Sequence, residues 1–163
     1  MRALIQRVRR AQVSVNGEIV SSIEKGLCVL IGICRDDGPV DLEYIVRKIL
    51  NVRLFDDDSG VRWKSSVKDK QGEILCISQF TLYHELKGNK PDFHNSMGPD
   101  AARSFYDNFL AELRKHYKSE LVKDGKFGEY MQVEIENDGP VTIMLESPNS
   151  KNKAGSKGET DNE

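Results

Sequence analysis

Two stretches of this sequence are apolar at almost every position: GLCVLIGI (26–33) and the start of EILCISQFTLY (73–83). An alternating strand can turn one face to water, but a continuous apolar run cannot, and runs of this length between turn residues are central strands. Any fold for this chain must cover both. The remaining pattern shows what is available to do so. MRALIQRV reads as a strand that starts almost at residue 1. AQVSV and EIVSSI flank Asn16-Gly17, a pair that tolerates positive φ and suits a type I′ hairpin turn. VDLEYIVRKILN puts Leu42, Ile45, Val46, Ile49 and Leu50 on one helical face, with Asp41 in the first turn. A second helix is expected over about residues 100–117, with Ala101, Ala102, Phe105, Phe109, Leu110 and Leu113 as its stripe. VRLF reads as a short strand and DDDSG as a surface turn. YMQVEIE and VTIMLE alternate on either side of NDGPVT (137–142), which reads as the turn of a final hairpin. About seven strands and two helices without a βαβ repeat predict an α+β domain built on curved antiparallel and mixed sheets.

The 163 residues are 38% hydrophobic and 31% charged, which suits one soluble domain with a sizeable core. That domain is placed at 1–148. The remainder, NSKNKAGSKGETDNE (149–163), has little to bury and reads as a disordered polar tail. A net charge of −2 argues against a protein that grips nucleic acid with its whole surface, while leaving room for a local basic patch. Cys28, Cys34 and Cys76 lie in or beside apolar runs with no CxxC pair, so buried free thiols are expected and neither a zinc site nor a redox motif is. There is no secretory leader and no run of 18 apolar residues, which predicts a cytoplasmic protein without a membrane partner.

A search for a nucleophile begins with Ser78 and Thr81 in ISQFTL. If that strand persists, His84 shares a face with Ser78 and points away from Thr81. His94 lies beyond a long loop and His116 at a helix end, so no nucleophile–histidine–acid set announces itself. Thr81 as a nucleophile and Thr81 as a hydrogen-bonding wall residue both stay open, the second being favoured. Asp56, Asp57 and Asp58 read as a solvated turn rather than a metal site, and GKFG lacks the rest of a P-loop. The loop at 84–98 is long for a passive connection. Arg7 shares a face with Ala3 and Ile5 and needs a partner there. Lys87 and Lys90 flank one loop, and Lys123 and Lys126 precede Phe127. A basic rim with an aromatic suits a nucleic-acid end, and an ordinary charged surface would look the same.

On these residues the chain resembles the D-aminoacyl-tRNA deacylase (DTD) family of bacteria and eukaryotes, formerly the D-tyrosyl-tRNA deacylases. Ser78-Gln79-Phe80-Thr81 matches one signature and NDGPVT another. KGNKPDF (87–93), GKFGEYM (125–131) and MRALIQRV with its Arg7 match further blocks, over about residues 1–147. The resemblance implies a barrel-like fold and a homodimer with neither metal nor organic cofactor. It implies hydrolysis of the ester between a D-amino acid, or mischarged glycine, and the 3′-terminal adenosine of tRNA. It implies a cis Gly139–Pro140 peptide inserted into the partner's active site, where its carbonyls reject an L-side chain, with Arg7 bracing it at the interface. Ser78 would orient the adenosine and Gln79 would shape the strand. N–H groups around Phe80 and Thr81 would meet the developing oxyanion. Phe127 and Met131 would pack on the adenine, and Lys90 and Asn137 would complete the substrate contacts. The rival is a DNA-binding factor, since some animal members are associated with replication origins through a longer tail. Here Lys151, Lys153 and Lys157 are mixed with Glu159, Asp161 and Glu163, a weak DNA-binding signal.

Overall fold

The computed structural model of the chain describes residues 1–148, and the expected tail lies outside them. In chain order the elements are β1 (Arg2–Val15), β2 (Glu18–Ile23), β3 (Gly26–Gly32), α1 (Pro39–Asn51), β4 (Glu73–Ser78), β5 (Glu85–Lys87), β6 (Lys90–Asp92), α2 (Pro99–Lys115), β7 (Val122–Asp124) and β8 (Gln132–Glu146). The main sheet runs β2-β1-β3-β4-β7, with β8 along the other edge of β1, and β5–β6 is a separate small hairpin. β3, β4 and β7 are parallel, while β1 pairs antiparallel with β2, β3 and β8. The Ser21 hydroxyl on β2 donates to the Asp124 carbonyl on β7 at 2.6 Å, so the two ends of the sheet meet and it curls into a nearly closed barrel. This is the expected α+β architecture. Among the described residues no helix is long and apolar enough to cross a membrane.

β1 serves both cores of the molecule. Ala3 and Ile5 face the layer under the two helices, together with Leu42, Ile45, Ile49, Phe109 and Leu113. Val8, Ala11 and Val13 face the barrel interior with Cys28, Leu75 and Ile77. The change of face is local. Val8 pairs with Asn137 and Arg10 with Glu136, so Arg9 has no opposite number and bulges, shifting every later side chain by one position. The Asn16-Gly17 turn has φ of 51° and 81°, as a type I′ hairpin requires.

The α1 stripe is buried as its spacing predicts. In α2 the buried set is Ala102, Tyr106, Phe109, Leu110 and Leu113; Ala101 is exposed and Phe105 only half-buried. Tyr106 takes the inward position because its hydroxyl donates to Asp124 Oδ1 at 2.6 Å, which satisfies the polar end of a buried ring.

Three expectations need correction. NDGPVT does not reverse the chain: β8 is one strand of 15 residues, paired to the 14-residue β1 on both sides of that motif. β1 is long enough to accept both halves, so the turn residues find another role. Between register partners Gln6 and Val8, β1 has only Arg7; between Thr142 and Asn137, β8 has Asp138–Val141, and this surplus loops outward. VRLF is not a strand, since Phe55 makes only an isolated bridge to Ser65. β4 stops at Ser78, and Phe80–Tyr83 form a 3₁₀ turn, so the alternation that would align His84 with Ser78 ends there.

The start of β1 is tied to the end of β8. The fully buried α-ammonium of Met1 lies 2.6 Å from Asp37 Oδ1 and donates to Ser147 Oγ at 2.6 Å. Ser147 Oγ in turn donates to Asp41 Oδ1 at 2.7 Å, and its N–H donates to the Met1 carbonyl at 2.9 Å. Asp37 Oδ2 accepts the Cys34 N–H at 2.6 Å, and Asp41 Oδ2 accepts the Gly38 N–H at the start of α1.

Candidate active site

The carboxyl ends of the parallel strands β3 and β4 meet the 3₁₀ turn, the kind of place where parallel sheets present ligands to backbone groups. The Gln79 N–H donates to the Ile31 carbonyl at 2.7 Å, which carries the turn across the end of β3. Gly32 permits that approach, because a Cβ there would lie 2.8 Å from Leu82 Cβ and 3.3 Å from the Gln79 carbonyl. The first bond inside the turn is Leu82 N–H to Gln79 O, at 3.3 Å. The N–H groups of Phe80 and Thr81 precede it and so lie outside the turn's own ladder, as at any helix start.

The side chains here are held firmly. The Phe80 ring, 57% exposed, meets Phe93 edge-on with centroids 4.9 Å apart, and the Phe80 carbonyl accepts from Ser96 Oγ at 2.9 Å. Thr81 Oγ1 accepts a hydrogen bond from the Gln79 side-chain amide. His84 Nδ1 lies 2.9 Å from the Thr81 carbonyl, not from its hydroxyl. The threonine hydroxyl is therefore met by an amide rather than by the neighbouring histidine.

β7 ends at Asp124, level with Cys76 and two residues short of the end of β4, and the Gly125 N–H donates to the Cys76 carbonyl at 2.9 Å. The chain then folds back on itself. The Met131 sulfur accepts the Lys126 N–H at 3.3 Å and packs beside Ile77 and Gly125. The Phe127 ring lies 5.6 Å from Tyr106, with the Arg103 guanidinium 4.9 Å from its centroid. Much of Phe127 is thus engaged in holding the loop to α2. Lys90 stands exposed on the β5–β6 hairpin, whereas Lys87 pairs with Asp92 at 2.8 Å and holds that carboxyl far below its usual range, aided by His94.

Asn137 and the motif after it lie elsewhere. The Gly139–Pro140 peptide is cis, Gly139 has φ of 123°, and both residues are exposed. Arg7 Nε donates to the Asp138 carbonyl at 3.2 Å and lies 3.4 Å from Asp138 Oδ2. Its Nη1 donates to the Leu54 carbonyl at 2.6 Å, and the guanidinium sits 6.0 Å from the Phe55 centroid. The Val141 N–H donates to Asn137 Oδ1 at 3.3 Å. Arg7 thus braces the bulge of its own chain. The candidate residues form two groups: Ser78, Gln79, Phe80, Thr81, Phe127, Met131 and Lys90 at the strand ends, and Arg7, Asn137, Gly139 and Pro140 at the bulge. The bulge level of β1 pairs through Leu27 to Ile74, three strands across and four residues short of Ser78. At about 4.8 Å per strand and 3.3 Å per residue, the groups lie on the order of 20 Å apart.

The sequence reading missed Tyr106, Arg103, Asp124 and Leu54 as supports. The 102–106–109–113 spacing was available for Tyr106. Nothing could point to Leu54, whose contact with Arg7 is made by its backbone carbonyl. Cys28 and Cys76 are buried and Cys34 half-buried; burial pushes Cys28 up to about 12 and raises Cys76 as well. Among the described residues, no group of three or more His, Cys, Asp or Glu side chains converges to hold a metal.

The fold is a small curled barrel, and at the ends of its parallel strands two backbone N–H groups lie outside the turn's ladder while the Thr81 hydroxyl meets an amide rather than a histidine. The family model described as D-Tyr-tRNA(Tyr) deacylase matches residues 4–146, and the chain belongs to that family. It is 62% identical over 148 residues to the D-aminoacyl-tRNA deacylase 1 of Bos taurus, covering 91% of this chain and 71% of that one. It is 60% identical over 151 residues to the D-aminoacyl-tRNA deacylase of Drosophila melanogaster, covering 93% and 95%. The solved structure of a c-Myc DNA Unwinding Element Binding Protein is similar at 61% identity and a TM-score of 0.89, covering 91% of this chain and 99% of that one.

Proposed function

We propose that this chain hydrolyses the ester between a D-amino acid, or mischarged glycine, and the 3′-terminal adenosine of tRNA, in the cytoplasm and as a homodimer. The observation that carries the reading is the pair of N–H groups at Phe80 and Thr81, which stand free of their own turn at the ends of the parallel strands. Water adds to the ester carbonyl, and these donors stabilise the oxyanion that forms. The C–O bond then breaks, and the ribose oxygen leaves with a proton. The ribose 2′-OH orients the attacking water, and Ser78 orients the ribose. Gln79 holds Thr81 as part of the wall, while Met131, Phe127 and Lys90 bound the adenosine side.

Chirality enters through the bulge of the second subunit. Gly139–Pro140 projects from its strand, yet on one chain it is on the order of 20 Å from Ser78. A two-fold dimer can place each bulge over the other chain's strand ends, since such an interface uses the same patch twice. The open face between the two groups is partly apolar: Leu4 pairs with Leu30 on one side and with Met144, 49% exposed, on the other. The bulge rejects an L-side chain by collision and leaves D-residues and glycine unhindered.

The test uses one tRNA charged separately with D-Tyr, L-Tyr and Gly, with EDTA present. Release of D-Tyr and Gly with L-Tyr intact is expected. Equal loss of both enantiomers removes the chiral filter and leaves an esterase. No release from any ester, together with duplex DNA binding lost on deleting residues 149–163, favours the DNA-binding rival.

A further inference from the structure

The loop that follows β7 leaves one aromatic side chain almost fully in water. Tyr130 is 86% exposed. Its neighbours in sequence are turned the other way. The Met131 sulfur lies under the turn against the Lys126 N–H, and Phe127 is packed between Tyr106 and Arg103. The turn itself is fixed by Gly128, with φ of 78°, and by Glu129 N–H to Lys126 O at 3.2 Å. A large ring standing out from a well-fixed turn gains nothing for this chain's own core.

Two exposed cations belong to the same loop and its support. Arg103 reaches from α2 to lie over the Phe127 ring, and its Nη2 donates to the Phe127 carbonyl at 3.3 Å; both it and Lys126 remain exposed. Lys126 bonds here through its backbone, its N–H at the Met131 sulfur and its carbonyl at the Glu129 N–H, which leaves its side chain open to another molecule. The turn contributes one acid, Glu129, against these two. An exposed ring on a loop that also carries exposed cations is how proteins hold single-stranded nucleic acid: bases stack on the ring and phosphates meet the charges.

We propose that Tyr130, Arg103 and Lys126 bind the single strand of tRNA immediately 5′ of the terminal adenosine, with Tyr130 stacking on a base and the two cations holding phosphates. This rests on the deacylase reading, which places the terminal adenosine beside Met131, one residue away. It adds a strand-binding surface outside the reacting end. It also assigns the free aromatic of this loop to Tyr130, while Phe127 positions the loop.

The experiment compares two substrates: D-Tyr-tRNA, and D-Tyr-adenosine, which has no strand. Tyr130→Ala is expected to raise KM for D-Tyr-tRNA about tenfold more than for D-Tyr-adenosine, and Tyr130→Phe, which keeps the ring, to restore it. Lys126→Ala is expected to flatten the dependence of log affinity for tRNA on log salt by about 0.7, the loss of one single-strand phosphate contact. Equal KM changes for the two substrates would overturn the proposal, since Tyr130 would then act on the adenosine site. So would no change for either, which would leave the ring to a protein partner. Loss of hydrolysis of both substrates by the unmodified protein would instead sink the deacylase reading itself.

Discussion

The β1–β8 pair carries two polar clusters, and they differ in what they leave open. At its end, the Met1 ammonium, Asp37, Asp41 and Ser147 close on one another out of water, with Met1 and Asp37 side chains 0% exposed. No buried side-chain nitrogen or oxygen among the described residues lacks a partner. In the middle of the same pair, Arg7 is 16% exposed and bonded to two carbonyls, yet it holds up Asp138, Gly139 and Pro140 in solvent. The first cluster is complete within one chain and serves stability. The second is braced from within the chain yet left open to solvent, as the proposed role at a partner's site requires.

Removing a partner from the closed cluster should therefore cost the most. Asp37→Ala leaves a buried ammonium without its counter-ion and is expected to destabilise by about 3–5 kcal/mol. A melting temperature within a degree or so of the parent would break the contrast at its strongest point. Ser147→Ala removes a hydroxyl that joins the ammonium to Asp41, and about 1–3 kcal/mol is expected by denaturant titration, with deacylation unchanged once the protein is folded. At the bulge the order of effects reverses. In Gly139→Ala the new Cβ would stand 2.9 Å from Val141 Cγ2 and 3.1 Å from Arg7 Nη2, at a φ that L-residues avoid. The stability cost should be only about 1–2 kcal/mol, but release of L-Tyr from tRNA should rise relative to D-Tyr. Arg7→Ala should cost about 1 kcal/mol or less in this half-open setting and shift the same ratio more weakly. An unchanged L-to-D ratio in both variants would separate the bulge from chirality.

Much of this contrast was legible in the residues, but not all of it. The continuous apolar runs fixed β3 and β4 as central strands, and the α1 stripe was read residue by residue. NDGPVT was recognisable as a signature, yet its local chemistry fits a hairpin turn and a bulge equally well. What decides between them is the length of β1, a long-range pairing that no window around residue 139 contains. The cluster at Met1 was invisible for the same reason: Asp37 and Ser147 are ordinary residues in sequence, 36 and 146 positions from the group they bind. At the strand ends, Ser78 and Thr81 were singled out as candidates, but the stop of β4 at Ser78 was not legible, because Phe80–Tyr83 keep an apolar composition while changing to a 3₁₀ turn.

Acid offers the smallest and most local way to separate the two clusters. Asp57, in the loop that follows Leu54 and Phe55, is held below the usual carboxylate range by the Val61 N–H and the Ser59 hydroxyl, and Asp69 by Ser66 in the same way. A carboxyl lowered in the folded state binds its proton later than in the unfolded chain. Its contribution is present above the ordinary value and lost as pH falls toward the folded one. Asp37 runs the other way, since burial raises its carboxyl against the pull of the ammonium. Its contribution is present below the ordinary value and is lost as pH rises through the folded one. On going from about pH 6 to about pH 3, the support beneath the bulge should loosen before the closed cluster does. Hydrogen exchange reads this directly: protection at Val61 and Ser66 should fall first, with Cys34 and Ser147 holding. If Cys34 and Ser147 lose protection first, the cluster at Met1 depends on charge more than on burial, and the division between a closed and an open end of β1–β8 is drawn in the wrong place.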